Sequence, residues 1–226
     1  MCIGIIGATE NEITPFTSSM SNIRTEKHAM LSFHKGKYLD IPIIALYCGV
    51  CKVNAAIAAQ ILIDKYQVTQ IIVIGVAGAI NEELHILDTV ISSEIAYHDV
   101  ADEILTQYHP WMKSIYFAAD RDMLNAISEA NAGERSVVIG RIVTGEAFID
   151  QNGRKEIIEK YNPLCVDMET ASIAHVCYAN SIPFVAIRSI SDTPHESGNG
   201  AFEKYGEAAA EKSIDILKRY LDSTQC

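Results

Sequence analysis

Four carboxylates stand where an alternating chain would bring them to one place: Glu12, Asp167, Glu169 and Asp192. Glu12 follows a short apolar run in GIIGATENE. Asp167 and Glu169 flank Met168 in VDMETASIAH, and Asp192 closes a longer apolar run in RSISD. Each falls just after a predicted strand, at the edge where open α/β sheets bind ligands. Carboxyls gathered there suit general acid–base work. Arg188 lies inside the last strand, where a guanidinium is costly to bury unless paired, and these acids supply partners. Plainer roles compete. Glu10 serves equally as a helix-dipole residue, and Asp167 is read as an N-cap; Glu169 and Asp192 are read as functional, with Glu12 a candidate general base.

Other strand ends offer room in place of charge. IGVAGAI (residues 74–80) follows a buried strand with small residues, so Gly75, Ala77 and Gly78 leave space for a ligand against the backbone, and Gly49 in CGVCKVNAA does the same. Gly4-x-x-Gly7 lacks the third glycine of a dinucleotide fingerprint and is followed by acids, which would repel a pyrophosphate. Cys48-x-x-Cys51 has no second ligand pair at zinc spacing, which leaves thioredoxin-like redox chemistry a minor alternative. TGEAFID sets Phe148 and Ile149 in a loop, where an aromatic either plugs a hydrophobic edge or stacks on a base.

These positions need a frame. The 226 residues are 49% hydrophobic, enough for one α/β domain spanning 1–226 with a sizeable core. Strands are predicted at Cys2–Gly7, Ile43–Tyr47, Gln70–Gly75, Thr89–Ala96, Ser136–Val143, Leu164–Val166 and Phe184–Ile190. Helices are predicted at Glu10–Met20, Val53–Lys65, Arg121–Ala130, Asn152–Lys160, Glu169–Asn180 and Ala201–Leu221. Such alternation predicts a three-layer α/β/α sandwich around a central mixed, mostly parallel sheet. Asp99 to Ala119, with Trp111, reads as a long irregular segment for function or subunit contact. A net charge of -11 disfavours nucleic acid and anionic membranes as partners, and no apolar stretch reaches membrane-helix length. Six cysteines, mostly in apolar segments, fit a reducing, cytoplasmic setting.

Taken in order, GIIGATENE, GVCKVNAA, GVAGAI, SSEIAYHD, TGEAFI, VDMETASIAHVC and RSISD resemble the 5′-methylthioadenosine/S-adenosylhomocysteine nucleosidases of the purine nucleoside phosphorylase superfamily. The resemblance implies a homodimer without metal or organic cofactor that hydrolyses the adenine N-glycosidic bond of a small nucleoside. By the same resemblance, Asp192 protonates adenine N7, Glu169 holds the ribose hydroxyls, and Glu12 activates water with Arg188 alongside. Phe148 and Ile149 sandwich adenine, Met168 packs under ribose, and Val50 and Phe202 flank the ribose and the 5′-thio group. Arg188, Ser191, Val76 and Gly78 complete the expected substrate-binding set.

The chain departs from that family at Val76, where a hydroxyl residue is common, at Thr9, at Asp167 for the usual Glu, and at Ala79 for a frequent glycine. Loss of the hydroxyl at 76 argues against phosphorolysis. A purine nucleoside phosphorylase and a non-catalytic nucleoside-binding relative remain the alternatives.

Overall fold

The computed structural model describes residues 2–108, 112–149, 153–196 and 199–224. In chain order they form β1 (Ile3–Gly7), α1 (Glu10–Thr17), β2 (Ser21–His28), β3 (Leu31–Tyr38), β4 (Ile41–Tyr47), α2 (Lys52–Asp64) and β5 (Gln70–Ala79). Then come β6 (Thr89–Tyr97), α3 (Asp102–Gln107), β7 (Tyr116–Ala118), α4 (Arg121–Ala130), β8 (Val137–Thr144), α5 (Arg154–Tyr161), β9 (Cys165–Asp167), α6 (Thr170–Asn180), β10 (Phe184–Asp192) and α7 (Asn199–Ser223).

Strand β5 shows why helices cover both faces. Side chains alternate across a strand, so an unbroken apolar run needs cover on each side. Ile71 and Val73 join a core with Ala58 and Leu62 of α2 and Ile173 of α6. Ile72 and Ile74 join another with Phe16 of α1, Ile127 of α4 and Leu217 of α7. A smaller cluster seats Ile157 and Tyr161 of α5 against Val143 and Val166.

The expected α/β architecture with a mixed sheet is present, with one addition. The order β2-β3-β4-β1-β5 continues through β9, β8, β6 and β10, and β10 pairs back onto β5, closing a five-strand circuit. Within it β5 and β10 run parallel, while β9 lies antiparallel to β5. Register fixes the site: Gly78 pairs with Asp192 on one side and Val166 on the other, and Thr144 pairs with Asp167.

Two regions differ from the expectation. The β2–β3 hairpin escaped prediction because every residue of β2 is exposed and β3 fully buries only Phe33, so neither strand carries an apolar pattern. The segment read as irregular contains α3 and β7, the latter paired antiparallel with β6; at 6 and 3 residues both are too short to show a period. Helix α1 ends at Thr17, short of Met20. Trp111, Asp150 and Asn152 lie outside the described residues.

Candidate active site

The site is built around Arg188, which β10 carries into the interior with no solvent exposure. Its Nε donates to Asp167 Oδ2 at 2.9 Å and to Thr170 Oγ1 at 3.1 Å, Nη2 to Glu169 Oε2 at 3.3 Å, and Nη1 to the Ile74 carbonyl at 3.2 Å. Glu12 Oε1 lies 3.8 Å from Nη1. Three carboxylates thus share one guanidinium. Asp167 also accepts from Thr144 Oγ1 at 2.5 Å, from the Glu169 and Thr170 amides at 3.3 and 3.2 Å, and from the Thr170 hydroxyl. The N-cap of α6 is Glu169 and not Asp167 as expected; Asp167 accepts from the first amides of the helix from one turn earlier and anchors Arg188 at once.

Glu12 turns back from α1 over the strand ends. Oε2 accepts from the Ala8 and Thr9 amides at 2.6 and 2.7 Å, the second as a capping-box contact, and Oε1 accepts from Val76 N at 2.9 Å. Gly75 makes room for this carboxylate. Its φ is +134°, and a Cβ there would sit 2.6 Å from Glu12 Cδ and 2.7 Å from Arg188 Nη1. Its amide leaves the strand ladder and donates to buried Ser213 Oγ on α7 at 3.2 Å. The space read from sequence as a ligand's is therefore filled by the Glu12–Arg188 pair.

Glu169 stands at the start of α6, where Oε1 accepts from Cys51 N at 3.0 Å and Oε2 from Arg188. Burial, helped by Asp167 and Glu12 and opposed by Arg188, pushes its carboxyl up to about 7. Asp192, at the end of β10, accepts from Ser191 Oγ at 2.9 Å. Burial raises its carboxyl above the ordinary value, while the Ser191 hydroxyl and the Arg154 charge pull the other way. Gly78 allows the approach, since a Cβ there would lie 2.8 Å from Asp192 Oδ2.

A cavity of about 240 Å³ opens onto these groups. Of the predicted residues, Glu12, Val50, Val76, Gly78, Phe148, Ile149, Met168, Glu169, Ser191, Asp192 and Phe202 line it together. Arg188 does not. Its guanidinium is spent on the carboxylates behind the wall, so the expectation that it binds substrate gives way to one of holding acids in place.

Several supporting residues escaped sequence reasoning. Thr144 and Thr170 fix Asp167, and Cys51, at φ +83°, aims its amide at Glu169. Lys52 and Asp99 meet at 2.8 Å, while Glu146 accepts from Lys52 N and donates its own amide to Asp99, which ties the Phe148 loop to α2. Polar residues at strand ends were the available signal for the threonines. Nothing in the spacing marked the rest. Cys48 is free and buried, with its thiol pushed up to about 12, which leaves little thiolate for redox chemistry. Among the described residues, no cluster of three or more His, Cys, Asp or Glu is placed to hold a metal, and no helix is long and apolar enough to cross a membrane.

Comparison with known proteins identifies the family. The profile of the phosphorylase superfamily matches residues 2–222. The 5′-methylthioadenosine/S-adenosylhomocysteine nucleosidase of Bacillus pumilus is 33% identical, with all of both chains covered. That of Bacillus subtilis is 32% identical over 98% of each. Among solved structures, the adenine complex of the Colwellia psychrerythraea nucleosidase superposes with TM-score 0.88 at 31% identity, covering 98% of this chain and 95% of that one. The futalosine hydrolase of Helicobacter pylori superposes with TM-score 0.90 at 26% identity, covering 99% and 98%. With its full length matched and its acids gathered on one cavity, the chain belongs to the phosphorylase superfamily and, within it, to the 5′-methylthioadenosine/S-adenosylhomocysteine nucleosidase family of N-glycosyl hydrolases.

Proposed function

We propose that the chain hydrolyses the bond between ribose C1′ and adenine N9 in 5′-methylthioadenosine and S-adenosylhomocysteine, releasing adenine and the thioribose. The supporting observation is a single cavity lined by buried Asp192 together with Glu169 and Glu12. Cleavage builds negative charge on the departing base and positive charge on the sugar. Asp192, whose carboxyl burial raises above its ordinary value, gives its proton to adenine N7 as C1′–N9 breaks. Phe148 and Ile149 hold the base, and Met168 packs under the sugar. Each Glu169 oxygen accepts one protein hydrogen bond, so each keeps an acceptor site for the ribose 2′- and 3′-hydroxyls. Three backbone amides occupy three of the four acceptor sites of Glu12, and the fourth, on Oε1, takes the proton of the water that attacks C1′.

Hydrolysis is favoured over phosphorolysis on electrostatic grounds. A phosphate beside C1′ would face carboxylates, with the Arg188 guanidinium behind them and no hydroxyl at Val76. Aminofutalosine and 5′-deoxyadenosine are further candidate substrates, and the futalosine hydrolase of Helicobacter pylori shares the fold. The enzyme acts as one catalytic domain in a cytoplasmic homodimer without metal or organic cofactor, in methionine salvage and recycling of the activated-methyl cycle.

Adenine release from the four nucleosides, measured with and without phosphate, tests this reading. Phosphate-independent release is expected. Release only with phosphate would make the protein a phosphorylase, and tight binding without release would make it a binding relative.

A further inference from the structure

Arg154, the first residue of α5, carries a charge that the catalytic reading leaves unused. It is 92% buried, being 8% exposed, and has no carboxylate within ion-pair distance among the described residues. Its Nη2 donates instead to two main-chain carbonyls, Ala79 at 3.0 Å and Ile80 at 2.5 Å. These carbonyls continue β5 directly beyond Gly78, the residue paired with Asp192. Tying down a strand end needs only a neutral donor. Burying a whole guanidinium there costs several kcal/mol unless its charge is answered. The charge is within electrostatic reach of exposed Glu82 and of Asp192.

We infer that Arg154 is a positioning residue for the acid of the proposed reaction: it fixes the end of β5 on which Asp192 rests and places a positive charge beside the carboxylate that forms when Asp192 gives up its proton. This rests on Asp192 being that acid. As the proton passes to adenine N7 and C1′–N9 breaks, negative charge appears on Asp192, and an oriented cation lowers the energy of that state. Among the described residues, Asp192 accepts from the Ser191 hydroxyl on its own strand and is within electrostatic reach of Arg154 on α5 and of the buried Cys165 thiol on β9. Arg154 is the cation among them.

The test uses Arg154→Gln, which keeps a donor for the carbonyls and removes the charge, and Arg154→Lys, which keeps the charge. For Arg154→Gln, kcat should fall roughly 10–100-fold, below the range lost with the acid itself. The alkaline limb of kcat/KM should move to higher pH, because the carboxylate loses its stabilising cation. Arg154→Lys should return the limb toward its original position. Thermal melts establish that each variant is folded. A folded Arg154→Gln enzyme with an unmoved limb, or a folded lysine variant that behaves like glutamine, overturns the inference. Adding Arg154→Gln to Asp192→Asn separates the two readings: little further loss supports coupling through the acid, and a full additional loss refutes it. A nearly normal Asp192→Asn enzyme would instead sink the assignment of the acid.

Discussion

Replacing Gly75 by alanine puts one methyl carbon between the two charges around which the site is organised. The new Cβ would lie 2.6 Å from Glu12 Cδ and 2.7 Å from Arg188 Nη1, so one group must move. Arg188 is held by Asp167, Thr170, Glu169 and the Ile74 carbonyl, whereas Glu12 is held by three amides near the surface of the cavity, so Glu12 yields. A side chain at φ +134° costs about 1–3 kcal/mol, and loss of the Val76 hydrogen bond to a charged acceptor about 1.5–3 kcal/mol. The sum, about 2.5–6 kcal/mol, lowers Tm by roughly 5–24 °C for a chain of this size while leaving it folded below the transition.

If Glu12 activates water as proposed, displacing its carboxylate by about 1 Å should cost on the order of 10²-fold in kcat. Adenine binding should survive, because Asp192, Phe148 and Ile149 lie elsewhere along the cavity wall. Adenine release gives kcat, and calorimetric titration with adenine gives affinity. Gly78→Ala is the matched comparison, since its Cβ meets Asp192 Oδ2 at 2.8 Å and should weaken adenine binding instead. A Gly75→Ala enzyme with kcat within a few-fold of the parent would refute the argument that this glycine exists to seat Glu12.

Asp192→Asn should lower kcat by roughly 10²–10⁴-fold, the usual contribution of a positioned acid, because an amide has no proton to give; near-normal turnover would dismiss Asp192 from the role. Asp167→Asn should destabilise the fold by about 3–5 kcal/mol in denaturant titration, since it leaves buried Arg188 short of its best-placed partner. With Glu169 pushed up to about 7, affinity for a permanently cationic ribose mimic should rise as pH climbs toward 7 and level off above it, because only the carboxylate attracts the cation. Glu169→Gln should flatten that profile, and an unchanged slope would show that another group titrates.

What could be read from sequence follows from burial. Strands β1, β5 and β10 are covered on both faces and announced themselves as apolar runs; β2, exposed along its whole length, gave no such signal. Carboxylates at strand ends were legible because topology sends those ends to one place. Their division of labour was not. Arg188 reaches Ile74 across 114 positions, and Gly75 reaches Ser213 across 138, distances over which spacing carries no information. Gly75 itself shows the limit: small size is visible in sequence, but whether the room serves a ligand or a neighbouring side chain depends on which groups the fold turns toward it.

The charge balance at this centre explains why one buried arginine can serve a reaction it does not touch. Glu12, Asp167 and Glu169 set three acids against the single guanidinium they surround. Burial, with the like charges of Asp167 and Glu12 added to it, raises the carboxyl of Glu169, which presents its free acceptor sites to the cavity. In the proposed reaction, a sugar acquiring positive charge beside Glu169 favours its ionised form more as the bond lengthens. The interaction therefore strengthens toward the transition state, the property that separates catalysis from binding. Arg188 sets the level of this balance, because it is the one guanidinium that all three carboxylates share.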